Sequence, residues 1–229
     1  MKSVLNYFTK FEICLWTASV FLILVSFCVF DRENYLTLLA SLIGATFLIF
    51  NAKGNPIGQF LTIVFSVLYG IISYSFSYYG EMITYLGMTM PMALFALISW
   101  LKNPYQKGKA EVKVNRLSKK EILFMLVLTL IVTFVFYFIL EYFNTANIIP
   151  STISVTTSFL AVYLTFRRSP YFALAYAMND LVLIILWVLA TKTQISYLSV
   201  VICFAVFFVN DMYGFINWKK IEKRQNNKM

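Results

Sequence analysis

Two Asn-Asp pairs lie inside long apolar segments near the end of the chain, Asn179-Asp180 in AYAMNDLVLIILW and Asn210-Asp211 in FFVNDMYGFINWKK. An ionisable side chain in the middle of a membrane costs roughly 2.5–3.5 kcal/mol on insertion scales, so it usually faces a cavity or a polar partner. Amides and carboxylates can hold the hydroxyl groups of a solute, and a carboxylate also attracts a cation. The pairs are therefore candidates for lining a solute path.

Helical spacing adds further residues to these pairs and forms two faces. The face in the earlier segment holds Asn179, Asp180, Leu183 and Trp187, and the face in the last segment holds Asn210, Tyr213, Gly214 and Asn217. Residues three, four and seven apart share one side of a helix. Aromatic side chains stack on flat rings and attract cationic ones, so the mixture predicts a solute with a planar heterocycle and a hydroxyl-bearing part.

Structural roles compete with this interpretation. Asn side chains often hydrogen-bond one transmembrane helix to another, and the two Asp residues could be buried partners of an amide or a Tyr. A proton relay through Asp180 or Asp211 is a further alternative. Trp100 and Trp218 lie next to Lys102 and Lys219, so they can belong to an interfacial aromatic belt as well as to a packing contact, a gate or a ligand site.

The composition requires a membrane environment. Of the 229 residues 60% are apolar and 13% are charged, and the mean hydropathy is +0.76, whereas soluble chains carry about 25% charged residues. The net charge of +9 comes from basic residues between the apolar segments. That distribution predicts contacts with lipid headgroups and does not predict nucleic-acid binding.

Several kinds of chemistry are excluded or disfavoured. The chain has no His, and its three Cys residues (Cys14, Cys28 and Cys203) lie in apolar runs without metal-ligand spacing. No metal site, disulfide framework or cofactor is therefore predicted. A phosphate-binding GxxxxGK[ST] loop and the HExxH and GxSxG motifs are also missing from the sequence. We expect neither an enzyme nor an ATP-driven pump.

Eight apolar runs are long enough to cross a membrane, since a spanning helix needs about 20 residues. They predict an all-α polytopic membrane protein with spans at 12–30, 35–51, 56–78, 81–101, 121–143, 148–166, 170–191 and 195–218. Only Pro91 lies inside a span, where it should kink or unwind the fourth helix. The segment LSKKEI predicts a capped start of the fifth helix, with Ser118 followed three residues later by Glu121.

The basic residues also predict the orientation. With eight spans, 17 of the 19 Lys and Arg residues fall on one side, and only Arg32 and Lys192 fall on the other. Basic residues accumulate on the cytoplasmic side, so both termini, including a basic tail at 219–229, are predicted to be cytoplasmic. The first run ends in SFCVFDREN without an A-x-A cleavage pattern, and we interpret it as a retained helix.

The spans can be divided into two similar units. The segment 41–50 aligns without gaps to 157–166, each is followed by a Pro (Pro56 and Pro170), and the third helix of each unit ends in a Trp. Parallel repeats of this kind are common in transporters. The pattern predicts a 1+3+1+3 arrangement in one membrane domain, with an extra first helix, bundles at about 35–101 and 148–218, and a linker helix at 121–143.

Three segments resemble the PnuC family of bacterial vitamin transporters, in its Gram-positive branch. They are YYGEMITYLGMTMPMALFALISWLKN (78–103), AYAMNDLVLIILW (175–187) and VNDMYGFINWKK (209–220), and the most specific piece is the pattern N-x-x-Y-G-x-x-x-W that starts at Asn210. The resemblance runs from about residue 35 to 220. It implies a SWEET-like core of two parallel three-helix bundles and uptake of nicotinamide riboside by facilitated diffusion, with a cytosolic kinase trapping the solute.

The resemblance carries functional positions onto this chain. By position the matching residues are Tyr69, the turn Tyr79-Gly80-Glu81, Trp100, Asn179, Trp187, Asn210, Tyr213, Gly214 and Trp218. The chain departs from the family pattern at Glu81 and Ala93, where many relatives have Asp and Gln. Asp180 and Asp211 replace residues that are often apolar or small. These acidic groups could favour a cation such as thiamine or grip additional hydroxyl groups.

We therefore expect a multi-pass transporter in the bacterial cell membrane that contacts lipid and binds a small heterocyclic solute. The predicted solute-contacting residues are Asn179, Asp180, Trp187, Asn210, Asp211, Tyr213, Asn217 and Tyr69, and the predicted packing or gating residues are Pro91, Gly214, Trp100 and Trp218. Thiamine, riboflavin or a (deoxy)nucleoside is the alternative cargo. A proton-coupled transporter, a membrane scaffold and assembly into a homo-oligomer also stay open.

Overall fold

The computed structural model of the chain describes residues 7–75, 79–145 and 147–227. Across these ranges eight helices are long and apolar enough to cross a membrane. They are α1 (Lys10–Phe30), α2 (Tyr35–Ala52), α3 (Pro56–Ser75), α4 (Tyr79–Lys102), α5 (Lys119–Tyr142), α6 (Ile148–Phe166), α7 (Tyr171–Thr191) and α8 (Leu198–Asn226). The predicted all-α polytopic class with eight spans is confirmed.

The helix starts follow local sequence signals. The Thr9 side chain accepts the amide of Glu12 at 3.2 Å, while the Glu12 carboxylate accepts the amide of Thr9 at 2.7 Å, which is a complete capping box. The Ser118 hydroxyl accepts the amide of Glu121 at 3.3 Å, so the cap predicted for the fifth helix is present. Pro56 opens α3, where a missing amide hydrogen does no harm.

Helix α4 contains both α-helical and π-helical turns. Its first turn (Tyr79–Ile83) and its last part (Met90–Lys102) are α-helical, and a π-helical segment, Thr84–Thr89, lies between them. The Met90 amide donates to the Tyr85 carbonyl, five residues back. Because the ring of Pro91 clashes with a carbonyl four residues earlier in a regular α-helix, the wider turn relieves that contact. The local unwinding predicted at Pro91 takes this form.

The ends of the helices define two sides. Because the spans alternate in direction, α1 begins and α8 ends on one side, which we call the terminal side; the other is the opposite side. Helix α8 continues to Asn226, through most of the segment predicted as a basic tail. The cause is Gln225, which is 2% exposed and donates to the Val112 carbonyl at 3.0 Å. Residues 76–78, the predicted end of the third span, lie outside the described residues, as do Lys2 and Lys228.

Two tryptophans cross-link the bundle on the terminal side. Trp100 of α4 donates to the Thr165 carbonyl of α6 at 2.9 Å, and Trp218 of α8 donates to the Asn51 carbonyl of α2 at 2.7 Å. The two indole rings lie 5.4 Å apart and are 1% and 0% exposed. They therefore do not form an interfacial belt. Each helix is fastened by its last turns to a helix of the other half of the chain.

The loops after α2 and α6 have the same hydrogen bonds. Gly54 donates to Asn51, and Arg168 donates to Thr165, both at 2.9 Å, and φ is positive at Gly54 (64°) and at Arg168 (55°). This match pairs Asn51 with Thr165 and Pro56 with Pro170. The gap-free alignment of 41–50 with 157–166 is therefore displaced by two residues from the structural correspondence. The shared loop geometry supports two related units, and the 1+3+1+3 arrangement stays a prediction.

The connection between α4 and α5 bridges these loops. The Val112 amide donates to the Gly54 carbonyl at 3.0 Å, and the Asn115 amide donates to the Arg168 carbonyl at 3.1 Å. Val112 is buried against the bundle. The segment 103–118 thus crosses the terminal side and binds both halves of the chain.

The packing leaves no room for a side chain at Gly58 but does leave room at Gly214. A Cβ on Gly58 would lie 2.2 Å from Asn51 Oδ1 and 2.7 Å from the Asn51 amide nitrogen, whereas a Cβ on Gly214 would lie 3.5 Å or more from its nearest neighbours. We expect Gly58→Ala to lower the free energy of unfolding by about 1–3 kcal/mol through overpacking. Gly214→Ala is the matched control and should leave the melting temperature in detergent near the wild-type value. Equal melting temperatures for the two variants would contradict this packing.

Candidate functional site

A central cavity lies between α7, α8 and the π turn of α4. Its wall combines hydrogen-bonding side chains with aromatic rings. The polar lining residues are Thr62, Thr89, Ser158, Asn179, Asp180 and Asp211. The aromatic lining residues are Phe47, Phe65, Tyr85, Tyr176, Phe204 and Phe207. Such a wall can stack a flat ring and hold polar substituents at the same time.

The two Asp residues meet in this cavity. Asp180 comes from α7 and Asp211 from α8, both line the cavity, and they are 4% and 5% exposed. The Asp180 Oδ2 atom has no hydrogen-bond partner in the described part of the chain. A carboxyl oxygen in such surroundings is costly unless something binds it.

Asn179 is held by hydroxyl groups of α6. Its Oδ1 atom accepts hydrogen bonds from Thr157 at 2.9 Å, from Ser158 at 3.1 Å and from Ser154 at 3.3 Å. These bonds orient the side-chain amide and occupy its oxygen. The Nδ2 group is then the part of Asn179 that could donate to a solute.

Two more cavities continue the central one toward the opposite side. The middle cavity shares Tyr85, Thr89, Ser158 and Leu183 with the central cavity. The outer cavity shares Tyr69, Glu81 and Trp187 with the middle one, and it reaches Asp31 and Asn34 in the connection between α1 and α2. We call the outer, middle and central cavities together the route; it leads from the opposite side to the two Asp residues.

The predicted face of α7 therefore lines these cavities along its length. Asn179 and Asp180 border the central cavity, Leu183 borders the central and middle cavities, and Trp187 borders the middle and outer ones. Tyr69, also predicted to contact the solute, borders the middle and outer cavities. The structure brings these five positions together along one route, while their contact with a solute stays a prediction.

The predicted face of α8 contacts helices α1 and α2. Asn210 Nδ2 donates to Ser19 Oγ of α1 at 2.9 Å, and Asn217 Nδ2 donates to the Ala52 carbonyl of α2 at 2.8 Å. Tyr213 donates its hydroxyl to Glu12 Oε1 of α1 at 2.9 Å. None of the three is among the described residues that line the central, middle and outer cavities. Here they fasten α8 to α1 and α2, and their role in solute binding stays a prediction.

Glu12 organises the contact between α1 and α8. It is 2% exposed, and Lys53 Nζ lies 3.1 Å and 3.0 Å from its two carboxylate oxygens. The Tyr213 hydroxyl and the Thr9 amide complete its hydrogen bonds. One buried carboxylate thus joins α1, the loop after α2 and α8.

The predicted packing or gating residues surround the route at its terminal side. Trp218 and Phe172 rings lie 5.0 Å apart, and with Trp100 they form a buried aromatic cluster. Trp218 follows Asp211 by seven residues, about 10 Å along the helix. The cluster separates the central cavity from the terminal side. Gly214 faces Ala52 and Ala173, and Pro91 adjoins the π turn that supplies Tyr85 and Thr89.

Sequence reasoning missed several residues of the route. Among them are Thr84, Tyr85, Thr89, Ser151, Ser154 and Ser158. Ser151, Ser154 and Ser158 have helical spacing within STISVTTS, and this spacing is a usable signal. The signal is weak, because a hydroxyl in a helix can also bond to a carbonyl of its own preceding turn.

Comparison with known proteins gives consistent matches. Residues 34–220 match the model of a family described as "Nicotinamide mononucleotide transporter". The chain is 27% identical over 203 residues to the nicotinamide riboside transporter PnuC of Neisseria mucosa, covering 86% of this chain and 77% of that protein. It is 22% identical over 196 residues to the protein of the same name from Haemophilus influenzae, covering 85% of this chain and 83% of that protein.

The fold also matches a solved structure. A crystal structure of the vitamin B3 transporter PnuC superposes with a TM-score of 0.81 at 24% sequence identity, covering 95% of this chain and 94% of that chain. The family match begins after α1, so the helix that carries Glu12 and Ser19 lies outside it.

The Glu12 contacts predict a stabilising role for α1. We expect Glu12→Gln to lower the free energy of unfolding by about 1–3 kcal/mol, because hydrogen bonds to a charged partner are lost in a buried setting. The melting temperature of the purified protein in detergent measures this effect. Glu33→Gln, at an exposed position, is the control. A melting temperature of Glu12→Gln equal to that of the control would exclude this role.

Proposed function

Because the chain belongs to the PnuC family, whose model covers residues 34–220, we propose that it takes up nicotinamide riboside across the membrane. The observation that carries this proposal is the composition of the central cavity. Carboxyl, amide and hydroxyl groups suit a ribose, and the aromatic rings suit a pyridinium ring. The names of the two relatives from Neisseria mucosa and Haemophilus influenzae agree with this solute.

A riboside fits these cavities better than the corresponding mononucleotide. Proteins usually hold a phosphate group with Arg, Lys or the amides at a helix N-terminus. None of the described residues that line the central, middle and outer cavities is Lys or Arg, whereas Glu81, Asp180 and Asp211 are acidic. A phosphate dianion would be repelled along this route.

The proposed mode of transport is facilitated diffusion. The sequence has no phosphate-binding loop to couple transport to ATP hydrolysis, so the solute gradient supplies the driving force. A cytosolic kinase that phosphorylates the solute would trap it, since the product carries the negative charge that this route disfavours. The 17-to-2 distribution of basic residues supports an orientation with both termini in the cytoplasm, and the proposed location is the bacterial cell membrane.

One alternative has a specific observation in its favour. Asp180 and Asp211 both border the central cavity, and carboxyl groups inside the membrane can relay protons. A proton-coupled carrier is therefore the second candidate. Thiamine, riboflavin or a (deoxy)nucleoside is the alternative cargo for the same fold, and assembly into a homo-oligomer stays open.

Uptake of labelled nicotinamide riboside into proteoliposomes tests the proposal. We expect uptake down the solute gradient to persist after an ionophore collapses the proton gradient. Asn179→Ala should reduce uptake about tenfold, since one well-placed hydrogen bond is lost, while Glu141→Gln at an exposed position of α5 should not. Loss of uptake with the ionophore would favour the proton-coupled carrier. Unchanged uptake by folded Asn179→Ala would remove Asn179 from the site.

A further inference from the structure

Among the described residues, the charged side chains that line the route are all acidic. Asp31 borders the outer cavity, Glu81 borders the outer and middle cavities, and Asp180 and Asp211 border the central cavity. The described wall of these three cavities contains no basic side chain to neutralise them. The chain has only 10 acidic residues against 19 basic ones, so four acidic residues along one route represent a marked enrichment.

The deepest of these groups is incompletely bonded. Asp180 is 4% exposed, it borders the cavity, and its Oδ2 atom has no hydrogen-bond partner in the described ranges. The buried carboxylate of Glu12 makes a clear contrast, because Lys53, Tyr213 and Thr9 all donate to it. The structure satisfies one buried acid fully and leaves one carboxyl oxygen of the other without a hydrogen bond, in a residue that borders the cavity.

The surroundings of the open carboxyl group suit a cationic ring. Tyr85, Tyr176 and Phe207 line the same cavity, and aromatic faces attract a flat cation. A cation bound beside two neighbouring carboxyl groups favours the ionised form of at least one of them, which then carries a negative charge. A cation can therefore contact a negative group and aromatic faces together, whereas a neutral ring of the same shape gains only stacking.

We infer that Asp180 and Asp211 together select the charge of the solute, favouring a cationic heterocycle over a neutral one of equal size. This inference rests on the proposed function for the identity of the solute, but it concerns the carboxyl pair.

Paired ligands that differ only in ring charge test this selection. The first pair is nicotinamide riboside, a pyridinium cation, and its neutral dihydro form; the second is thiamine and its neutral isostere deazathiamine. Binding to the purified full chain is measured by calorimetry. Wild-type protein should bind the cation of its cognate pair at least about tenfold more tightly than the neutral ligand, because the carboxylate attracts only the cation. The double variant Asp180→Asn, Asp211→Asn should reduce this ratio to about threefold or less.

The controls separate this claim from the choice of solute. Asn replaces Asp at nearly equal volume and keeps hydrogen bonding, so mainly the charge changes. Glu141→Gln removes an exposed charge outside the cavities and should keep the wild-type ratio. If the double variant does not fold, the two single variants are measured, and each should lower the ratio.

Each outcome decides one of the two proposals. If only thiamine shows the cation preference and the double variant loses it, charge selection is supported and nicotinamide riboside is wrong as the solute. A wild-type protein without a preference in either pair would overturn charge selection. So would a preference that survives in folded double and single variants, because another group would then supply it.

Discussion

The structure depends on one constraint: a polar group inside a membrane must find a partner within the protein or face a cavity. Two sets of polar side chains illustrate these alternatives. Glu12, Tyr213 and the Nδ2 group of Asn210 make hydrogen bonds between helices, while Asn210 Oδ1 has no partner among the described groups. Asp180 and Asp211 border a cavity, and one Asp180 oxygen has no partner among the described groups. The first set joins helices of the bundle, and the second borders the cavity in which we propose that the solute binds.

The same constraint explains how the cavity is closed on one side and continued on the other. On the terminal side, the indoles of Trp100 and Trp218 fill the centre and bond to carbonyls of α6 and α2. Toward the opposite side, the π turn of α4 and the hydroxyl groups of α6 line the middle cavity. A solute entering from the opposite side would therefore meet the carboxyl pair before the aromatic cluster. Under the proposed function, we expect this cluster to move when a solute passes to the terminal side.

Much of this arrangement could be predicted from residue type and spacing. The eight spans follow from hydropathy, and the α7 face that carries Asn179 and Asp180 follows from helical spacing. Helical spacing also predicts the α8 face that contains Asn210 and Tyr213. It does not predict that this face packs against α1. Helical periodicity says which residues share a face and does not say which helix packs on it, and α1 was interpreted as an extra helix. The hydroxyl groups of α6 gave too little signal, because such groups are satisfied locally in any helix.

The central claim has two parts. The α7 face lines the solute path, and the α8 face that contains Asn210 and Tyr213 packs against α1. Thiol labelling tests it most directly, in a background where Cys14, Cys28 and Cys203 are replaced. With Leu183→Cys, a small water-soluble thiol reagent should react, and nicotinamide riboside should slow the reaction. With Tyr213→Cys, the solute should leave labelling unchanged. Solute protection at position 213 and none at position 183 would contradict the account.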